Sequence, residues 1–305
     1  MLTLAALGPQ ALAARLRGPG LRLQTGPFIA RVRSPLPALA VALDRMYADY
    51  PVLDEETVAD FDLLLRAPRG LRRLVRPQVV FHYDGLAPFQ PLPLAQLYPM
   101  FEWAMNWCVS SHAQSWLVIH AAVVEKEGRA VILPAPPGSG KSTLCAALVA
   151  RGWRLLSDEL TLVRLDDGRI DPVPRPVSLK NASIDVIRAW APQAQLSPPV
   201  ADTLKGTVAH MRAPSESVAR AMEAAAPAWI VFPKWRAGAP ADLVPVPQAR
   251  AHVRLAENAF NYSLLGASGF NAAARLVDST RTFDFSYGAL EDAMAVFDRL
   301  PAGRP

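Results

Sequence analysis

The run Ala135-Pro136-Pro137-Gly138-Ser139-Gly140-Lys141-Ser142-Thr143 has the form (Ala/Gly)-x4-Gly-Lys-Ser of a phosphate-binding loop. An apolar, strand-like run, Ala130 to Leu133, leads into it, and a helix-like run, Leu144 to Val149, leads out. Strand, glycine turn and helix are the context that gives the motif its meaning. Glycines let the backbone curl until several N–H groups converge on phosphate oxygens, and the start of the helix adds partial positive charge. In such a loop Lys141 reaches the β- and γ-phosphates of a nucleotide such as ATP, and the Ser142 hydroxyl binds Mg²⁺. All nine residues, 135–143, are therefore candidate nucleotide contacts.

A phosphate loop says nucleotide and leaves the reaction open. Seventeen residues after Lys141 stands Asp158, within Ser157-Asp158-Glu159. A helix and a short strand fill that interval and return the chain beside the loop. A carboxylate there accepts a proton from an attacking hydroxyl, or holds Mg²⁺, or the two neighbours divide these tasks. The bland alternative is an acidic turn between strands. His120 lies in the apolar run Trp116 to Val124. A lone histidine on an apolar strand is ordinarily a satisfied core residue, and a binding role is the sharper alternative. Four cations follow the acidic pair: Arg175, Lys180, Lys205 and Arg212. They are either neutralisers of phosphate charge or surface residues.

Outward from the loop, residues 116–305 read as the nucleotide domain and residues 1–115 as an N-terminal region of mixed α and β. The expected strands are Phe28 to Arg33, Phe61 to Arg66, Val79 to Tyr83, Trp116 to Val124, Ala130 to Leu133, Leu155 to Val163 interrupted at 157–159, Val208 to Met211, Ala228 to Phe232 and Thr282 to Tyr287. Expected helices cover Leu36 to Tyr47, Leu94 to Val109, the run after the loop up to a Gly152 cap, Ile184 to Trp190, Arg250 to Phe260 and Ala289 to Leu300. Hairpins beside a strand–loop–helix unit predict an α/β (mixed α+β) fold with a mixed sheet. The proline-rich segments at 172–176 and 198–199 read as loops able to move over a bound nucleotide.

Composition narrows the classes. The chain has 305 residues, 51% hydrophobic and 19% charged, enough to bury a substantial core. No apolar run reaches the ~20 residues that span a bilayer. Met1 to Ala14 lacks a basic n-region and is broken by Gly8 and Pro9, so it reads as mature chain. Two distant cysteines, Cys108 and Cys145, suit a reducing cytoplasm and offer no metal-site spacing. The net charge of +5 is mild. The arginine-rich run 66–76 has no interleaved aromatics and reads as a solvated hairpin, so neither nucleic acid nor a membrane is an expected partner. No Asn-Lys-x-Asp guanine motif and no LSGGQ-like signature is present, which sets aside GTPase switches and ABC-type ATPases.

Taken together these residues resemble the HPr kinase/phosphorylase superfamily. The resemblance runs through His120-Ala121-Ala122-Val123-Val124, the loop with Leu144, Gly152, and Leu155-Leu156-Ser157-Asp158-Glu159-Leu160. Pro174 to Lys180, Lys205 to His210 and Phe232-Pro233-Lys234-Trp235 are similar to the subgroup called HPr-related kinase A. The resemblance implies a phosphoenolpyruvate-carboxykinase-like P-loop kinase core. It implies Asp158 as the base that activates the acceptor hydroxyl, Glu159 at a second acidic position associated with Mg²⁺, and His120 as a catalytic partner. It further implies ATP as donor and a hydroxyl acceptor, read as serine on a peptide or small carrier-type protein, with a homo-oligomer left open. Residues 1–115 and the C-terminus lack the corresponding HPr kinase signatures, so the carrier protein HPr itself is not implied as substrate. A nucleotide-gated binding module and a small-molecule kinase stand as the alternatives.

Overall fold

The computed structural model describes residues 2–300. Residue 1 and residues 301–305, the outermost parts of the two expected regions, lie outside the described residues. Two six-stranded mixed sheets and two three-stranded sheets organise the described residues. The first large sheet is built from the N-terminal region. Its order is Val52–Leu53, Leu21–Thr25, Phe28–Arg33, Phe61–Arg66, Gln78–Tyr83 and Leu92–Pro93. Strict alternation of buried and partly exposed residues along Phe28–Arg33 and Phe61–Arg66 reflects one face packed and one solvated. The packed face meets helices Leu4–Arg17 and Leu97–His112, and Pro37–Met46 packs against these two helices. Leu4–Arg17 bends at Gly8 and Pro9, where Gly8 has a φ of +73°.

The second large sheet runs Arg154–Ser157, Ala121–Lys126, Arg129–Pro134, Ala226–Trp235, Arg281–Tyr287 and Asp242–Pro245. Arg129–Pro134, Ala226–Trp235 and Arg281–Tyr287 are mutually parallel, and the flanking pairs are antiparallel. Buried residues at almost every position of Ala121–Lys126 and Arg129–Pro134 mark a sheet covered on both faces. The carboxyl ends of the three parallel strands, Pro134, Trp235 and Tyr287, come together at the 135–143 loop, and ligands bind at such ends in open α/β sheets.

Several expectations are corrected. Trp116 to Val124 is two strands, Trp116–Ile119 and Ala121–Lys126, which enter different sheets and part company at His120. Residues 172–176 form a buried strap rather than a mobile cover. The Tyr50 hydroxyl donates to Pro174 O, and Val173 N donates to Leu156 O at 2.7 Å. The sequence reading also passed over helices Leu4–Arg17 and Ala267–Asp278 and the strand Val177–Lys180. The 66–76 run is an exposed turn between Phe61–Arg66 and Gln78–Tyr83. Both cysteines are free and buried. No helix among the described residues is long and apolar enough to cross a membrane.

Candidate functional site

The loop is shaped by two glycines with positive φ, Gly138 at +84° and Gly140 at +88°. At Gly140 a Cβ would stand 2.6 Å from the Tyr287 hydroxyl and 2.8 Å from Trp235 Cβ, so only glycine fits. These same residues brace the loop. The Tyr287 hydroxyl donates to Gly140 O at 3.1 Å, and Trp235 N donates to Ser139 O at 2.8 Å. Helix Lys141–Ala150 begins immediately, and Leu144 N makes its first bond, to Gly140 O at 2.9 Å. The N–H groups of Lys141, Ser142 and Thr143 are thereby left without an intrahelical acceptor and face the loop's concave side. Free N–H groups at a helix start, with no carboxylate in the first turn, are the arrangement that attracts an anion. The Ser139 hydroxyl is buried there with no hydrogen-bond partner.

The acidic pair and His120 meet because two chain segments change sheets at the same level. Ile119 pairs with Thr161 in a small sheet, while Val123 pairs with Ser157 in the large one. His120 lies at one crossing and residues 158–160 at the other. As a result His120 Nε2 lies 3.1 Å from Glu159 Oε2. Lys141 Nζ donates to the backbone oxygen of Asp158 at 2.6 Å and stands 4.0 Å from Glu159 Oε2. Lys180 Nζ is 3.7 Å from Glu159 Oε1. Burial alone would raise the Glu159 carboxyl, but Lys141, the His120 contact and Lys180 hold it well below the ordinary carboxylate range. Glu159 therefore stays ionised and faces the cleft.

Asp158 has a different environment. It is 4% exposed, and its Oδ2 accepts from Ser178 N at 3.0 Å. Burial pushes its carboxyl up, Lys141 pulls it back, and Glu159 adds to the rise. The Ser142 hydroxyl lies beside it, and Asp158 Oδ1 is buried without a partner. An unpaired carboxylate oxygen next to a hydroxyl is a hard-oxygen pair of the kind Mg²⁺ accepts, so these residues fit the cation. Among the described residues no group of three or more His, Cys, Asp or Glu side chains is arranged to hold a metal alone. A Mg²⁺ at Ser142 and Asp158 would complete its shell with water and phosphate oxygens.

Of the four later cations, Lys180 lines the cleft. Lys205 sits at the turn between Val200–Thr203 and Gly206–Met211, its ammonium 5.5 Å from the Trp103 ring. Its side chain is open to solvent overall, yet desolvation of the ammonium, with repulsion from Lys180, lowers its pKa. Arg175 and Arg212 do not line this cleft, although Arg175 lines a separate small cavity with Asp158 and Glu159. Arg175 is buried against Glu102 at 3.0 Å, and Arg212 pairs with Asp49 at 2.6 Å. Sequence reasoning assigned no site role to Trp235 and Tyr287; it read the strand that ends at Tyr287, but its strand 228–232 stopped short of Trp235. An aromatic closing a strand gives no signal until the strand's neighbour is known.

The cleft has a volume of about 790 Å³, within the range of roughly 300–1,000 Å³ for pockets that take small molecules. Its lining includes loop residues 136–143, His120, Glu159 and Lys180, and it continues along Ala182–Trp190 and the start of Leu290–Phe297.

The model of the family described as "SynChlorMet cassette protein ScmC" matches residues 95–179, a span that contains His120, the loop and the acidic pair. That span is well under half of the chain. Among solved structures, the HPr(Ser) kinase/phosphatase from Coxiella burnetii is similar over 61% of this chain and 97% of its own, at 12% identity and a TM-score of 0.27. A likeness of that size carries no argument here. No curated protein matches the chain.

Proposed function

We propose that the protein is an ATP- and Mg²⁺-dependent phosphotransferase that moves the γ-phosphoryl group to a hydroxyl, taken to be a serine on a peptide or small carrier-type protein. One observation carries the reading: a braced phosphate loop and an ionised, histidine-supported carboxylate open onto the same cleft. The loop N–H groups and Lys141 bind the triphosphate. Lys141 leaves Asp158 O for phosphate oxygens, and Lys180 adds charge near the transferred group. Mg²⁺, held by Ser142 and Asp158, would neutralise phosphate charge when bound.

The resemblance gives the base to Asp158. Its burial, and the open position of Glu159 beside His120, favour exchanging the two roles. In this reading the acceptor oxygen bonds to the γ-phosphorus as the bond to the β,γ-bridging oxygen breaks. The hydroxyl proton passes to Glu159, and His120 holds that carboxylate in place. Phosphoryl transfer draws most of its acceleration from positioning and charge stabilisation, so a weakly basic carboxylate suffices.

The test is Mg·ATP turnover by the full chain, with water as the acceptor where no other is supplied. Lys141→Ala is expected to lower turnover by roughly 100-fold or more. Glu159→Gln is expected to retain nucleotide affinity within about threefold while losing turnover by a comparable factor. Normal turnover in Lys141→Ala contradicts the proposal. A chain that binds nucleotide tightly, transfers to no acceptor and is indifferent to Glu159→Gln is a binding module instead.

A further inference from the structure

The cleft is chemically asymmetric along its length. Lys141, Lys180 and His120 stand at one end, and its lining contains no further lysine, arginine or histidine. The other end is bounded by two helices that flank the loop helix Lys141–Ala150. One of them, Ala182–Trp190, has two apolar faces. Ile184 and Ile187 are buried in the core. Ala182, Val186, Ala189 and Trp190, spaced i, i+4, i+7 and i+8, form a second stripe that lines the cleft. Val186 is 43% exposed, so its side chain is accessible within the cleft. Leu290, the first residue of the last helix, and Glu291 beside it also line the cleft. The Arg151 guanidinium lies over the Trp190 ring at 4.8 Å, so the far end of the stripe is fixed beside the end of the loop helix.

We infer that this apolar end, lined by Val186, Trp190 and Leu290, is the slot for the base of the nucleoside triphosphate. The inference rests on the phosphotransferase reading and deepens it. Lys141 and Glu159 mark the end where the terminal phosphate reacts, so the chain of phosphates runs back past Thr143 toward the two helices. A flat, weakly polar base is the part of the nucleotide that suits a slot walled mainly by apolar side chains, with Glu291 as its one charged lining residue. The polar side chains at this end are Ser183 and Glu291, so the slot holds a base chiefly by its faces.

Isothermal titration of the full chain compares Mg·ATP with Mg·tripolyphosphate, which lacks base and ribose. The wild-type chain is expected to bind ATP about tenfold or more tightly than tripolyphosphate. Val186→Asp is expected to weaken ATP by about tenfold and leave tripolyphosphate unchanged. Ala189→Leu, a good helix former that fills the slot, is expected to do the same with an unaltered melting temperature. Equal wild-type affinity for the two ligands, or variants that weaken both alike, overturns the slot while leaving the phosphate loop standing. If neither ligand binds, the loop reading fails and the slot falls with it.

Discussion

His210 is 1% exposed, and neither ring nitrogen has a hydrogen-bond partner. Its ring meets Tyr98 edge-on at 5.0 Å. Burial pushes its pKa down to about 4, against a partial pull upward from Glu102. The native state therefore keeps His210 neutral while the unfolded chain takes up a proton near the ordinary histidine value. Between those two values the unfolded state binds more protons, so stability rises with pH through that window. Acidification from pH 7 to pH 5 should cost about 2 kcal/mol through this group. Melting temperatures across that range check it. His210→Phe, which loses no hydrogen bond, should melt with a flatter pH dependence, and an equally steep fall would exclude His210 as the cause. At this scale the sequence was most legible for which residues lie together, since Lys141, Ser142 and the acidic pair are neighbours as the motif's spacing required. It was least legible for arginines, because a cation's partner is a tertiary fact. Arg175 finds Glu102 across 73 residues, and Arg212 finds Asp49 across 163.

The element that ties the site to the N-terminal region is the strap at 172–178. One side of it supports Asp158 through Ser178 N. The other side is held by Tyr50 at Pro174 O and by Glu102 at Arg175. Gly26 closes the contact, since a Cβ there would overlap Pro172 O. Arg175 and Glu102 are both nearly fully buried, and Tyr47 also donates to Glu102 at 2.8 Å. Removing one partner of such a pair strands the other charge. Glu102→Gln should cost about 3–5 kcal/mol in chemical denaturation, and the double change Glu102→Gln with Arg175→Met should cost less than the sum of the two single changes. Additive losses would show that the pair is not coupled. Strands with clean alternation, such as Phe28–Arg33, were readable from pattern alone. The Trp116 to Val124 run was not, because an unbroken apolar stretch looks the same whether it stays in one sheet or changes sheets midway. Helix Ala267–Asp278 escaped notice because its buried stripe, Ala272, Ala273, Leu276 and Val277, is half alanine and follows Ser268-Gly269.

Across the whole molecule, one continuous core joins helices of the N-terminal region to the loop helix and the strands beneath it. The second large sheet carries the 135–143 loop at the carboxyl ends of its parallel strands, and the crossings at His120 and 158–160 bring the charged groups to the same edge. Mixed α/β architecture followed from the order of patterns in the sequence. The sheet orders did not, since they depend on which non-local strands pair. The central claim is that this edge holds a nucleoside triphosphate with its terminal phosphate between Lys141 and Glu159. A crystal structure with Mg²⁺ and a non-hydrolysable ATP analogue tests it most directly. The account predicts the Lys141 ammonium released from Asp158 O and bonded to β- and γ-phosphate oxygens, with the γ-phosphate facing Glu159. A nucleotide bound elsewhere, with Lys141 still bonded to Asp158 O, would contradict it.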